Sequence, residues 1–460
     1  MEQRYGWAWV EAQVAQTIDV WNCCARQGVP LSPRYTVREQ RSHQKAYDQG
    51  LRAVQREAKR APRNAIERRL VQQRIVALFP QFAATALGLE GEAVNLLSNS
   101  FLPVGTQLAR WARRFDPALN MEDTIQACRN AWTACGLQAL LGRPMELTSS
   151  ILAYSLLYPY TDNHLDSPDL STADKLRFSE RFRQRLCGEL LDANTAHEAA
   201  VWTMVELIEE QYPRAQYPQI YDALLAIHRG QEQSMAQSMA QSMAQSPAQL
   251  SSAPNGQALS TIDVLRIGAA KGGTSVLADA FLAQPWLTEE EIRFAFDWGV
   301  LLQLGDDLQD VREDLARGSI TLFTQAAAEG QALDELVLQL LHFSRNIADR
   351  MDRLRHGTAS LKDLLRMSWR SLILMAVANA PAFFTPAFLA ELEACSAFRF
   401  DFLRARNQKL TGRQSLYAFV FDAFVDSGIE DCAVRVPGAA VNAPHIDQGE
   451  EPRALTSSFA

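Results

Sequence analysis

The chain has 460 residues and an apolar share of 47%, enough to bury the core of one large domain or of two to three smaller ones. Its formal net charge of −8 argues against a nucleic-acid partner, because phosphate binding requires a basic surface. The seven cysteines form no CxxC pair and the N-terminus has no signal-peptide pattern, so a cytoplasmic protein is expected. The longest apolar run, residues 372–384, is too short for a transmembrane segment.

Nearly every segment after residue 64 has a helical period, and the alternation typical of strands is almost absent. The sequence therefore predicts an all-α protein built as a single helical bundle. Residues 1–60 are expected to form an N-terminal helical extension, 61–428 the main domain and 429–460 a disordered tail. Within the main domain, residues 231–257 contain a repeated Gln-Ser-Met-Ala sequence, whose low complexity predicts a flexible insertion.

Several helix ends are marked by local sequence. A helix is expected to begin near Met121, and another to cover 146–166 after the break at Gly142-Arg-Pro. Ser171-Thr-Ala-Asp174 and Thr288-Glu-Glu-Glu291 have the pattern of capping boxes, and the first is expected to open a helix through residue 190. Further helices are predicted at 262–282, 331–355, 359–380, 386–396 and 411–427.

The predicted helix 146–166 ends in Asp162-Asn-His-Leu-Asp166. Spacing of i, i+4 places both carboxylates on one helix face, about 40° apart. His164 points to another side of the helix, and Pro159 is expected to kink it. Taken alone, this pair of acids is a weak signal, because most such pairs simply face solvent.

The helix opened at Thr288 is predicted to run to Asp314, and it has a similar inward stripe. The stripe begins with apolar residues and turns acidic at its end, where it carries Asp306, Asp310 and Glu313, with Asp314 at its edge. Buried like charges repel and buried carboxylates are costly, so either a cation gathers these groups or the helix end is solvated. Asp307 points about 100° away from Asp306 and is expected to lie at the surface or to support the site from behind.

Two acid-tipped helices that face each other across a bundle would supply five or six carboxylates. Oxygen ligands in that number suit Mg²⁺, which retains waters and shares itself with phosphate oxygens. The apolar residues farther along the same stripes would line a central cavity. Such a site would suit a molecule with an anionic head and a hydrocarbon tail.

The second stretch, Leu302-Gln-Leu-Gly-Asp-Asp-Leu-Gln-Asp-Val-Arg-Glu-Asp-Leu-Ala-Arg-Gly318, resembles the second aspartate-rich motif of squalene/phytoene synthases, L-Q-x-x-N-I-x-R-D-V-x-E-D-x-x-R-G. The matching residues are Asp310, Val311, Glu313, Asp314, Arg317 and Gly318, and Asp306 stands where that family has Asn. The spacing of Asp306, Asp310 and Asp314 also resembles the metal-binding triad of class I terpene synthases. The first motif is similar to the D-N-x-x-D form of bacterial terpene synthases.

This resemblance implies a class I isoprenoid synthase fold with a central apolar cavity. It also implies a Mg²⁺-dependent terpene synthase that removes diphosphate from an allylic prenyl diphosphate to give a terpene, often cyclic. Three Mg²⁺ ions are implied, for which Mn²⁺ can substitute. The implied metal ligands are Asp162 and Asp166 on one side, and Asp306, Asp310, Glu313 and Asp314 on the other.

The diphosphate also requires cations, for which the resemblance and the sequence suggest Arg266, Lys271 and Arg317. Gly272-Gly273 is expected to interrupt the helix that carries the first two. Tyr158, Phe296 and Trp298 lie near the stripes and are expected to face the cavity, where aromatic rings stabilise cations. For each of these residues an ordinary surface charge or a core ring is the alternative.

The resemblance leaves other functions open. A head-to-head prenyltransferase of the squalene/phytoene synthase type fits the Asp-Val-x-Glu-Asp sequence, and a non-enzymatic helical scaffold would need no metal at all. The insertion at 231–257 and the N-terminal 60 residues depart from the usual pattern of the superfamily. The sequence also lacks the motif that binds the homoallylic diphosphate in chain-elongating prenyltransferases, which argues against chain elongation. The sequence does not specify substrate length or product skeleton, and a homodimer is compatible with it.

Overall fold

A computed structural model of the chain describes residues 5–58, 64–86, 88–167, 169–244 and 259–411, together with 421–423, 425 and 434. In these residues the regular structure is entirely helical, without a β-strand. The all-α prediction is therefore confirmed. None of the helices in this part of the chain combines the length and apolar character needed to cross a membrane.

The helices of the first half of the chain are α1 (Trp7–Asn22), α2 (Val37–Ala58), α3 (Ala65–Ala86), α4 (Gly91–Leu96), α5 (Leu102–Phe115), α6 (Met121–Leu140), α7 (Ser149–Asp166), α8 (Thr172–Leu186), α9 (Ala196–Gln211) and α10 (Pro218–Ala244). Those of the second half are α11 (Thr261–Ala283), α12 (Glu289–Gln309), α13 (Val311–Arg317), α14 (Leu322–Ala328), α15 (Asp334–Arg353), α16 (Ala359–Asn379), α17 (Pro386–Glu393) and α18 (Phe400–Thr411). A π-helical turn precedes α5, and a 3₁₀ turn precedes α17.

The helix starts that local sequence marks are found where expected. Helix α6 begins at Met121, and the hydroxyls of Ser171 and Thr288 accept the backbone N–H three residues later, with a complete capping box at Thr288. Helix α8 ends at Leu186 rather than near residue 190. The reason is local, because Gly188 adopts a φ of 96° that an L-residue in a helix cannot adopt.

Helix α11 is the centre of the bundle. It packs against α12, α10, α6, α1 and α7, and from Ala269 onward all but two of its residues are buried. The sequence predicted a break at Gly272-Gly273, but α11 is continuous there. The glycines instead allow α12 to approach closely, since a Cβ on Gly272 would lie 2.6 Å from the carbonyl oxygen of Gly299, and one on Gly273 would lie 2.5 Å from the Phe296 ring.

Helix α1, in the predicted N-terminal extension, packs against the bundle. It contacts α11, α15 and α12, and Val10 is fully buried. The Thr17 hydroxyl donates to the buried carboxylate of Asp297 at 2.7 Å, and Arg293 also pairs with that carboxylate at 3.0 Å. Arg350 of α15 approaches the same carboxylate to 3.4 Å. A single buried acid thus ties α1, α12 and α15 together.

Other predicted regions differ from the structure or lie outside the described residues. Residues 231–244, expected to be a flexible loop, continue helix α10, because Gln, Met and Ala are strong helix formers even in a repetitive sequence. The rest of that insertion, 245–257, lies outside the described residues, as do most of the predicted helix 411–427 and nearly all of the tail 429–460. Helix α18 was not predicted.

The close contact between α11 and α12 predicts that an added methyl group destabilises the protein at some positions of α11 and not at others. Gly272→Ala should destabilise the protein by roughly 1–3 kcal/mol, because the new Cβ overlaps backbone atoms of α12 that cannot move independently. Gly268→Ala, one turn earlier in the same helix, is the matched control, since the nearest atom to its Cβ lies at 3.9 Å. It should be neutral or stabilising. Urea denaturation of both variants measures the difference, and equal losses at the two positions would contradict it.

Candidate functional site

Helix α7 brings Asp162 into the interior of the bundle. The helix starts at its N-cap Thr148 and continues through Pro159 to Asp166. The Asp162 side chain is buried and accepts a hydrogen bond from Gln231 Nε2 at 3.2 Å. Lys271 Nζ of α11 lies 3.4 Å from the same carboxylate. Because Gln231 belongs to α10, three helices meet at Asp162.

The structure describes the rest of the first motif only in part. Asp166 is the last residue of α7, and its side chain lies outside the described part of the structure. The His164 ring stacks on that of His197, with ring centroids 3.8 Å apart, and contacts Phe178. Burial lowers the pKa of His164. His164 thus packs toward α8 and α9, on the side away from the predicted metal site.

The second acidic stretch is divided between two helices rather than one. Helix α12 ends at Gln309 and α13 begins at Val311, with Asp310 between them. The amide of Asp310 still donates to the carbonyl of Asp306 at 2.9 Å, and the amide of Asp314 donates to that of Asp310 at 2.9 Å. The i, i+4, i+8 relationship of the three acids is therefore kept across the junction.

The carboxylates at the end of α12 lie in the region between α6, α7, α11 and α12, which we call the recess. Asp306 is exposed to solvent, yet desolvation by the surrounding protein raises its pKa to about 6. Desolvation also raises the pKa of the half-buried Asp307 to about 7 and the pKa of the exposed Asp310. The surrounding protein therefore reduces the hydration of all three acids.

Two cations on neighbouring helices lower the pKa values of these acids, but desolvation, which raises them, has the larger effect. Lys271, which pairs with Asp162 on α7, also lowers the pKa values of Asp306 and Asp307 on α12. Arg129 of α6 lowers those of Asp306 and Asp310. The field of Lys271 thus reaches both acidic motifs, which lie far apart in the sequence.

Three residues at the site were missed by sequence reasoning. Gln231 lies in the segment expected to be a loop, and Arg129 belongs to no motif. For Asp307 the sequence left open the surface and a supporting position behind the site, because it is about 100° from Asp306. Asp307 faces α11, where a Cβ on Gly268 would lie 3.9 Å from its Oδ2, and it accepts from Gln303 Nε2 at 2.8 Å. Only knowledge of which face of α12 meets α11 could have identified it.

The predicted diphosphate-binding residues are separated. Lys271 is at the recess, but Arg266 is an exposed residue that pairs with Asp263 at 3.7 Å. Arg266 lines a different cavity of about 670 Å³ between α1, α10 and α11. Arg317 is exposed on α13, 3.8 Å from Glu313, which is also exposed.

Asp314, at the edge of the predicted stripe, lies close enough to the recess to act on it. Its charge raises the pKa of Asp307, in addition to the larger effect of desolvation. The acids of the second motif therefore remain one electrostatic group, although the helix that was expected to carry them all ends at Gln309.

The three predicted aromatic residues are also in different settings. Tyr158 is half-buried on α7, one turn before Asp162. Phe296 is fully buried against α11, and Trp298 is buried between Phe294 and Trp369. Phe296 and Trp298 are therefore core side chains, since rings that line a water-filled cavity would keep accessible surface.

A buried polar cluster lies farther along α11 from Lys271. Asn130 Nδ2 donates to Ser155 Oγ and to Asp279 Oδ1, at 3.2 Å each. Asp279 is fully buried, and desolvation raises its pKa well above the ordinary value for aspartate. Burial therefore favours the protonated form of this acid over its carboxylate.

The fit of the site to metal ions depends on how many protein oxygens they require. No three His, Cys, Asp or Glu side chains in the described part of the chain are close enough together to enclose a metal ion. Mg²⁺ usually takes one or two carboxylates and completes its shell with water and substrate phosphate. Asp306 and Asp310 have no cation within 4 Å among the described residues, so their oxygens remain available to such an ion.

No protein-family model matches this sequence, and a comparison with curated proteins also finds no match. The residues themselves are therefore the basis for assigning chemistry to the site. They form an acidic, partly desolvated recess between α6, α7, α11 and α12, with one lysine and one arginine among the acids.

The raised pKa of Asp307 predicts a pH-dependent stability difference. A folded-state pKa of about 7 means that ionisation of Asp307 opposes folding. The stability that the protonated carboxyl group contributes is fully present below about pH 4 and is lost as the pH rises through 7. Asp307→Asn cannot ionise and can still accept from Gln303. The variant should therefore gain roughly 1–2 kcal/mol relative to the wild type between pH 4 and pH 7.5.

Urea denaturation at a series of pH values measures this gain. Asp349→Asn, at an exposed position of α15, is the control and should show no such trend. A pH-independent difference between Asp307→Asn and the wild type would contradict the desolvated recess.

Proposed function

We propose that this chain is a Mg²⁺-dependent class I terpene synthase that ionises an allylic prenyl diphosphate and releases diphosphate. The observation that carries the proposal is the position of Lys271. It pairs with Asp162 of the first acidic motif at 3.4 Å, and Asp307 of the second motif faces the same helix one turn away, at Gly268. The charge of Lys271 partly offsets the desolvation that raises the pKa values of Asp306 and Asp307. The two motifs would therefore act as one site, as this chemistry requires.

Each acidic motif would hold metal ions from its own side. Asp162 and Asp166 would bind from α7, and Asp306, Asp310 and Asp314 from the junction of α12 and α13, with the more exposed Glu313 at the edge. Bound Mg²⁺ would neutralise the charge of the diphosphate leaving group. The protein's own part is to present carboxylates without a close cation, as at Asp306 and Asp310, which favours binding of a metal ion.

The cations of the site would then bind the leaving diphosphate. Lys271 and Arg129 approach the acids from α11 and α6, and Arg317 lies just past the second motif. Lysine and arginine N–H groups are strong donors to phosphate oxygens. Arg266, which faces the cavity beside α1, would take no part in this binding.

The hydrocarbon part of the substrate would lie toward the apolar residues behind the acids. On α7 and α12 the half-buried Tyr158 and Leu302 keep the accessible surface that such a wall needs. An apolar surrounding keeps water from a carbocation, so a terpene rather than a hydrolysis product would be released. Unpaired thiols at all six described cysteines fit the reducing cytoplasm that we also propose.

A head-to-head prenyltransferase is the second candidate. The sequence Asp310-Val-Arg-Glu-Asp314, followed by Arg317-Gly318, supports it, and in the structure Gly318 ends α13 in the left-handed conformation. Both candidates use the same acids and the same diphosphate chemistry. They differ in the number of carbon atoms of the product.

Binding of metal and diphosphate together should stabilise the protein. At saturating Mg²⁺ and inorganic diphosphate we expect the Tm to rise by about 3 °C, because the pair binds only the folded state. Diphosphate without Mg²⁺ should give little change, since it would meet uncompensated carboxylates. Differential scanning fluorimetry measures the shift. Asp310→Asn should abolish it and Asp349→Asn should keep it, whereas a shift that persists in Asp310→Asn would place the binding elsewhere.

The reaction itself is tested with prenyl diphosphates of 10 to 25 carbon atoms and Mg²⁺, followed by gas chromatography–mass spectrometry. A terpene with the carbon count of its substrate is expected. Asp306→Asn should lower kcat by about 100-fold or more, because a metal ligand is lost. Arg266→Gln should retain activity, since Arg266 lies outside the recess.

A product with twice the carbon count would establish the prenyltransferase instead. If folded protein ionises none of these substrates, and Mg²⁺ with diphosphate leaves the Tm unchanged, the chain is a helical scaffold.

A further inference from the structure

Helix α2 carries its positive charges on one side. Arg38, Arg41, Lys45, Arg52 and Arg56 are all exposed, and at 100° per residue they lie within about 60° of each other around the helix. We call these five residues the basic stripe. It extends for about 27 Å along the helix axis. The whole chain has a formal net charge of −8, so without these five charges the remainder has −13.

The acids of α2 do not neutralise the stripe, because each is engaged elsewhere. Glu39 accepts from the backbone of Thr36 at 2.7 Å and caps the helix. Asp48 pairs with Arg406 of α18, and Glu57 pairs with Arg74 of α3 at 2.9 Å. None of the five cations has a carboxylate within 4 Å in the described part of the chain.

The stripe lies on the side of α2 that faces away from α3. Helix α3 packs on the opposite side of α2, where the Tyr47 ring meets that of Phe82 at 5.3 Å between centroids. On the stripe's own side, Arg41, Lys45 and Arg52 line a shallow cavity of about 320 Å³ beside Phe402. Asp48 also lines this cavity, but its charge is matched by Arg406. Three cations converging on one small cavity suit an anionic group rather than an apolar chain.

We propose that the basic stripe of α2 docks this protein on an anionic phospholipid surface, with a lipid phosphate in the cavity at Arg41, Lys45 and Arg52. A planar bilayer needs contact with only one helix face, and each basic residue near it strengthens binding about 5-fold. Nucleic acid fits less well, because it needs a broad basic footprint and the rest of this chain is strongly negative. The inference does not depend on the proposed catalytic activity.

The test is co-sedimentation of the full-length protein with vesicles of phosphatidylcholine alone or with 30% phosphatidylserine. The protein should bind the anionic vesicles at 50 mM NaCl and dissociate from them at 500 mM NaCl. It should not bind the neutral vesicles. The triple variant Arg41→Gln/Lys45→Gln/Arg52→Gln should bind roughly 100-fold more weakly, since it loses three contributions of about 5-fold each. Glutamine keeps the helix propensity of α2, and circular dichroism verifies the fold.

The matched control is Arg26→Gln/Arg183→Gln/Arg353→Gln, which removes the same amount of charge from other surfaces. It should bind anionic vesicles as the wild type does. The proposal is overturned if the wild type does not bind anionic vesicles, or if both triple variants weaken binding equally. Tighter binding to a single-stranded 20-nucleotide RNA than to the vesicles would overturn it in favour of a nucleic-acid partner.

Discussion

The close approach of α11 and α12 is the constraint on which the candidate site depends. At Gly272 and Gly299 the two backbones are in direct contact, and any side chain there would push the helices apart. The distance between these helices sets how near Lys271 lies to the acids of α12. Because α11 also packs on α7, the same helix positions Lys271 against Asp162. Helix α11 thus places Lys271 near both acidic motifs through its contacts with α12 and α7.

The acids gathered by this crossing oppose folding rather than support it. Desolvation raises the pKa values of Asp306, Asp307 and Asp310, which means that their ionised forms are less stable in the folded protein than in water. A structural role would favour pairing each acid with a cation, as Arg293 pairs with Asp297 deeper in α12, where desolvation also raises the pKa of the carboxyl group. Uncompensated charge at the recess is a stability cost that a bound cation would recover, which is how a binding site differs from a core ion pair.

Local chemistry made much of the fold predictable. The hydroxyls of Ser171 and Thr288 and the start at Met121 could be identified because a helix cap involves only neighbouring residues. The roles of Asp307 and Arg129 could not, because they depend on which helix faces meet, and a single sequence does not contain that information. Composition misled in one place, since the Gln-Ser-Met-Ala repeat that resembles disorder has the helix propensity to extend α10.

The recess and the basic stripe hold charge in two different ways. Many other arginines are matched to acids, as in Arg185–Glu209 at 2.6 Å and Arg181–Glu198 at 2.7 Å. The recess collects carboxylates in a desolvated opening, where a small, highly charged cation gains most. The basic stripe instead holds its cations in water, where attraction is weaker per charge but extends over a Debye length of about 10 Å. In the functions that we propose, the first arrangement would select a ligand by coordination, and the second would select a surface by its summed charge.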